Sequence, residues 1–202
     1  GDDARPGPAA TPRRGRVGEP GTAVCQAFTN GWGVTAMAAS DDGRLVAVAS
    51  GSRWVNVLDA RTGQRVQLIE ASGAVYGLAF LPGSDALVVS GRDMDTTVWS
   101  VSDGMLRARW GGAQGDGERS VRAVAAGAIV AIGEADGRVR VRSSESGAVL
   151  ATLDMGADAI VRGFGRAFPV AVDARGSRVA VALGNEAAVF ALPGGERISH
   201  AG

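Results

Sequence analysis

An all-β chain of repeated four-stranded units is the fold class this sequence predicts. Three observations carry the prediction. Short runs rich in valine and alanine are separated by turn residues at about 8- to 12-residue intervals. No stretch sustains the apolar period of a helix together with an N-cap signal. Turn glycines recur at a nearly constant interval: Gly63, Gly104, Gly147 and Gly195 are spaced 41, 43 and 48 residues apart. Valines that open an apolar run, Val34, Val75, Val121 and Val161, follow a similar interval of 41, 46 and 40. Two independent markers with one period describe a single supersecondary unit copied about four times. That period is the one of four-stranded β-propeller blades.

The elements follow in order. Residues 1–21, GDDARPGPAATPRRGRVGEPG, are rich in Pro, Gly and Arg, a composition that predicts a flexible linker to an upstream segment. Residues 22–202 hold the repeats, with units at about 34–73, 74–119, 120–158 and 159–202. The first unit runs VTAMAAS (34–40), RLVAVAS (44–50), WVNVLD (54–59) and QRVQLI (64–69). The second runs VYGLAF (75–80), ALVVS (86–90), TTVWSV (96–101) and MLRARW (105–110). In the third the first corner is shortened, so that VRAVAAG (121–127) leads almost directly into AIVAIG (128–133), before RVRVRS (138–143) and AVLATL (148–153). The fourth reads VRGFGRAFPVAVDARG (161–176), RVAVAL (178–183), AAVFAL (187–192) and ERIS (196–199).

Such small, nearly continuous apolar sheets need cover on both faces, and stacking against a neighbouring unit supplies it. TAVCQAF (22–28) has the position of a further outermost strand, so five such strands serve four inner sets. That surplus predicts about four blades forming an arc, or half of a larger ring that associates with itself or with another half. A closed four-unit ring would instead need TAVCQAF to finish the fourth unit beside AAVFAL.

The corners carry a resemblance. SDDG (40–43) and VDARG (172–176) match the "SPDG" corner of the WD40 repeat family, and GRDMDTTVWS (91–100) and GEADGRVRVRS (133–143) match its "GSxDxTVRVWD" segment. The chain therefore resembles WD40 β-propellers over residues 22–202. The resemblance implies that Asp93 and Asp136 are structural turn residues between the second and third strands. At the family's tryptophan position stand Leu58, Trp99, Arg142 and Phe190, and the histidine before the first strand is missing throughout. The loss predicts that the family's Asp–His–Ser/Thr–Trp hydrogen-bond network does not form, leaving the units held by packing.

Composition excludes several chemistries. The chain carries 21 basic and 21 acidic residues, and every basic one is arginine. A P-loop lysine, a Schiff-base lysine and a Ser–Lys dyad are thereby excluded. Cys25 and His200 are single, which rules out an intrachain disulfide and a zinc site with several Cys or His ligands. Asp93 and Asp95 form a D-x-D pair that lacks the further ligands of a calcium loop. Arg138, Arg140 and Arg142 alternate with valines along one strand, which reads as a solvated face rather than a nucleic-acid site. Trp32, Trp54 and Trp110 read as packing residues. The sequence shows no membrane span and no signal-peptide h-region, which sets the expectation of a cytoplasmic chain without membrane or nucleic-acid partners.

The functional expectation is a non-catalytic scaffold or sensor module, without cofactor or metal, that binds a protein or peptide. Tyr76, Arg122 and Arg162 each follow a leading valine, at the position of Thr35, and Arg92 occupies a corner of the same face. A tyrosine and three arginines at one mouth suit a partner with an acidic segment. The alternative is part of a propeller enzyme, a lyase or quinoprotein-like dehydrogenase, with catalytic residues outside this chain.

Overall fold

The computed structural model describes residues 33–91, 94–111, 123–126, 128–133, 138–154, 169–173, 175–183 and 186–201. They form four antiparallel sheets, each a simple meander of four strands. The first sheet is β1 (Ala36–Ala39), β2 (Leu45–Ala49), β3 (Trp54–Asp59) and β4 (Arg65–Glu70). The second is β5 (Val75–Phe80), β6 (Ala86–Gly91), β7 (Thr96–Ser100) and β8 (Leu106–Trp110). The third is β9 (Ala123–Ala126), β10 (Ile129–Gly133), β11 (Arg138–Ser143) and β12 (Val149–Asp154). The fourth is β13 (Val170–Val172), β14 (Arg178–Leu183), β15 (Glu186–Ala191) and β16 (Glu196–Ala201). No helix occurs among the described residues, and so none there is long and apolar enough to cross a membrane.

The four marker glycines make one and the same turn. Each stands at positive φ, from 69° at Gly63 to 76° at Gly195. Each N–H donates to the carbonyl four residues earlier: Gly63 to Asp59, Gly104 to Ser100, Gly147 to Ser143 and Gly195 to Ala191, at 2.8–3.0 Å. Only glycine enters this left-handed region without steric cost, which is why the residue recurs. A β-bulge between the third and fourth strands of every sheet follows, at Val57/Leu58, Val98/Trp99, Val141/Arg142 and Val189/Phe190. The second bulge residue is in each case the one at the tryptophan position. A bulge sharpens the local twist and re-aims that side chain.

The sheets stack in chain order through three apolar seams. Val55, Val57 and Ile69 of the first sheet meet Val75, Leu78, Phe80, Leu87 and Val89 of the second. The other face of the second, with Ala79, Val88, Val98 and Trp110, meets Val130 and Ile132 of the third. Val139, Val141 and Leu153 then meet Val170, Val179, Val181 and Phe190 of the fourth. Fully burying one Val, Leu, Ile or Phe contributes about 1.5–3 kcal/mol, so each seam is a substantial stabilising unit. The first strands lie side by side, β1 against β5, β5 against β9 and β9 against β13. The fourth strands carry the exposed Val66, Leu106, Val149, Leu150 and Ile198.

Two expectations change. The fourth sheet's first strand begins at Val170, nine residues after Val161, because the Asp173–Arg178 corner sets its register. Both edges of β15 are taken, by β14 and β16, so the alternative of a closed ring with TAVCQAF beside AAVFAL has no free edge there. Arg138 is exposed as expected of a solvated face, but Arg140 is half-buried and Arg142 is only 9% exposed. The reason is that Arg140 and Arg142 pair with Ile132 and Val130, whose face is turned to the second sheet. Trp99 Nε1 donates to Thr97 Oγ1 at 2.9 Å within β7, and Thr97 Oγ1 donates to the Val89 carbonyl of β6 at 3.2 Å.

Candidate functional site

The two ends of the sheets differ in character. At the end of the marker glycines, aspartates close the turns through local bonds. Asp59 accepts from the Thr62 N–H, the Thr62 hydroxyl and the Arg61 N–H at 2.7–3.0 Å. Asp173 accepts from the Ser177 N–H and hydroxyl and the Arg178 N–H at 2.6–2.9 Å. The Ser40 hydroxyl and the Arg44 N–H and guanidinium hold the Asp42 carboxyl down to about 2. Thr62 lowers Asp59, the Met105 N–H lowers Asp103, and the Ser177 hydroxyl lowers Asp173. Each carboxylate is used by its own turn. Asp93 and Asp136, the expected turn aspartates of the other corner, lie outside the described residues.

The opposite end is knitted across the first seam. The Gly51 N–H donates to Thr35 Oγ1 at 2.7 Å, and Thr35 Oγ1 donates to the Val75 carbonyl at 2.7 Å. Val75 N–H donates to Ser52 O at 3.0 Å, and Ala71 N–H to Arg53 O at 2.8 Å. The start of β5 is thus pinned to the first sheet. Gly91 closes the same corner, and a Cβ there would collide with the Ala74 carbonyl.

Tyr76 sits in this framework. A bulge between Val75 and Gly77 leaves it without a partner in the β5–β6 ladder, and its side chain is half-buried. Thr35 is regular by comparison, its N–H donating to Ala49 O at 2.9 Å. Arg92, Arg122 and Arg162 lie outside the described residues. The first corners of the first and fourth sheets match: the Ser40 N–H donates to Leu45 O and the Asp173 N–H to Arg178 O, at 3.0 and 3.1 Å.

Sequence reasoning missed a groove farther out on the same end. It opens between the outer strands of the first and second sheets, with a volume of about 330 Å³, and is lined by Arg53, Glu70, Ser72, Thr97, Trp99 and Arg109. Arg53 lies over the Trp54 ring at 5.5 Å, and its Nε is 3.3 Å from Glu70 Oε1. Arg109 is exposed and forms no ion pair among the described residues. The available signal was the i, i+2 alternation that puts Thr97 and Trp99 on one face, with Arg109 opposite Thr97 on the neighbouring strand. The seam that brings Arg53 and Glu70 against Trp99 and Arg109 had no signal. The groove presents a positive rim, an indole wall and a hydroxyl, groups that bind rather than react.

Arg142 has a structural role instead. Its guanidinium donates to Gly147 O at 2.9 Å and to Gly111 O at 2.7 Å, tying the third sheet to the end of the second. Burial lowers its basicity, and burial together with Arg142 lowers that of Arg140. Among the described residues no three His, Cys, Asp or Glu side chains gather as a metal site requires. Neither a protein-family model nor a curated protein matches the chain.

Proposed function

We propose that the four sheets are blades of a WD40-like propeller arc acting as a non-catalytic protein- or peptide-binding module of a larger protein. The observation that carries this reading is the end of the first seam. There a rigid, cross-bonded framework presents an off-ladder tyrosine, an exposed indole-lined groove and arginines. Tyr, Trp and Arg are the residues most enriched at binding hot spots, and guanidinium forks suit carboxylates. The repeated meander, the shared turn and the adjacent first strands support the propeller arrangement. In it, the end sheets offer faces on which a second arc packs. The mouth is formed by Tyr76 with Arg92, Arg122 and Arg162, and the partner segment is acidic.

Fluorescence anisotropy with labelled peptides of defined charge tests the reading. Acidic peptides should bind and their lysine counterparts should not. Alanine at Tyr76, Arg92 and Arg122 together should weaken binding at least tenfold without lowering the melting temperature, with R162A measured separately. Equal binding of acidic and basic peptides, or an unaffected triple variant, would overturn it.

A further inference from the structure

We infer that the groove between the first two sheets is a second subsite, one that takes a carboxylate side chain and an adjacent apolar side chain of the same acidic partner segment. The inference rests on the peptide-binding reading and extends it outward from the mouth. Two arginines against one glutamate leave the groove lining one positive charge in excess. Glu70 already engages Arg53, whose guanidinium lies on Trp54. Among the described lining residues, Arg109 is the exposed cation left to meet an incoming anion. Trp99 supplies the apolar wall: its N–H is committed to Thr97, so a ligand meets the ring without leaving a donor unpaired.

Position links this groove to Tyr76. Tyr76 lies on β5, and Trp99 lies on β7 of the same sheet, two strands away. Arg109 on β8 is one strand farther, so three interstrand spacings amount to about 15 Å, which an extended chain covers in about four to five residues. A single short segment can therefore place one residue at Tyr76 and its carboxylate at Arg109. Thr97, 2% exposed and bonded to both Trp99 and Val89, holds the indole in place beforehand, so little ordering is required on binding.

The probe is a capped, fluorescein-labelled hexapeptide of glutamate and leucine, with its lysine–leucine counterpart as control. Binding is read by anisotropy, and the Trp99 indole N–H resonance, assigned by its loss in W99F, is followed by NMR. The glutamate peptide should shift that resonance. R109E should weaken its binding about tenfold and bring in the lysine peptide, while the melting temperature stays unchanged. If Y76A weakens binding but R109E does not and the Trp99 resonance is still, the groove inference fails and the mouth stands. If R109E weakens binding and Y76A does not, the groove is the site and the mouth fails. A protein that binds neither peptide overturns both.

Discussion

Ser84 has φ of 63°, a left-handed conformation in a residue that carries a Cβ. Gly43 and Gly176 hold the same place in the corners of the first and fourth sheets, where each N–H donates three residues back, as that of Ser84 does to Leu81. S84G should therefore stabilise the fold by about 0.5–1 kcal/mol, read as a higher urea midpoint, the gain in φ being partly offset by greater freedom in the unfolded chain. Gly147 shows the opposite case. It stands at φ 72°, and a Cβ there would collide with the Trp110 indole, whereas nothing lies within 4 Å of the corresponding position at Gly43. G147A should cost about 3 kcal/mol or more and G43A about 1 kcal/mol. Similar losses from the two, in parallel urea titrations, would rule out the indole seat. The turn carboxylates set the acid limit. Asp42 titrates at about 2 in the fold, and Asp59, Asp103 and Asp173 are also lowered. A depressed carboxylate contributes stability that is full above its unfolded value and is lost as pH falls through its folded value. The melting temperature should thus drop between about pH 4 and pH 2, and D42N should flatten that slope.

At the scale of elements the bulge is the informative unit. It aims Leu58, Trp99, Arg142 and Phe190 from equivalent places, yet these residues do different things. Leu58 and Phe190 are buried, Trp99 walls a groove, and Arg142 reaches two carbonyls. R142M keeps much of the volume but strands the Gly147 and Gly111 oxygens, and should cost about 1–3 kcal/mol by urea denaturation. An unchanged midpoint would mean that both carbonyls find other donors. The strand RVRVRS was legible in the sequence, with bounds 138–143 that match β11. Its arginine face was not. Alternation says which residues share a face, but the neighbour that the face meets is a sheet some 50 residues earlier in the chain.

At the scale of the whole molecule, the second and third sheets are covered on both faces. Every residue of β6 and of β10 is buried, while β1 alternates half-buried and exposed. Amide exchange should accordingly be slowest in β6 and β10 and fastest in β1 and the outer fourth strands. Uniform protection across the sheets would contradict the serial stacking. In such an array each unit is stabilised by its neighbours, so damage at the middle seam should loosen both halves.

Local structure was legible along the chain. A glycine that must stand at positive φ, short β-branched runs and Asx turns act within a few residues, so four meanders and their period were readable from the chain. Tertiary structure decided the rest. The burial of Arg140 and Arg142 and the groove between Trp99 and Arg53 arise where sheets meet. The physical reason is that packing between faces is non-directional and joins residues well separated in the chain, such as Val55 with Val89 and Val88 with Val130. No turn signal or alternation encodes which two faces will touch.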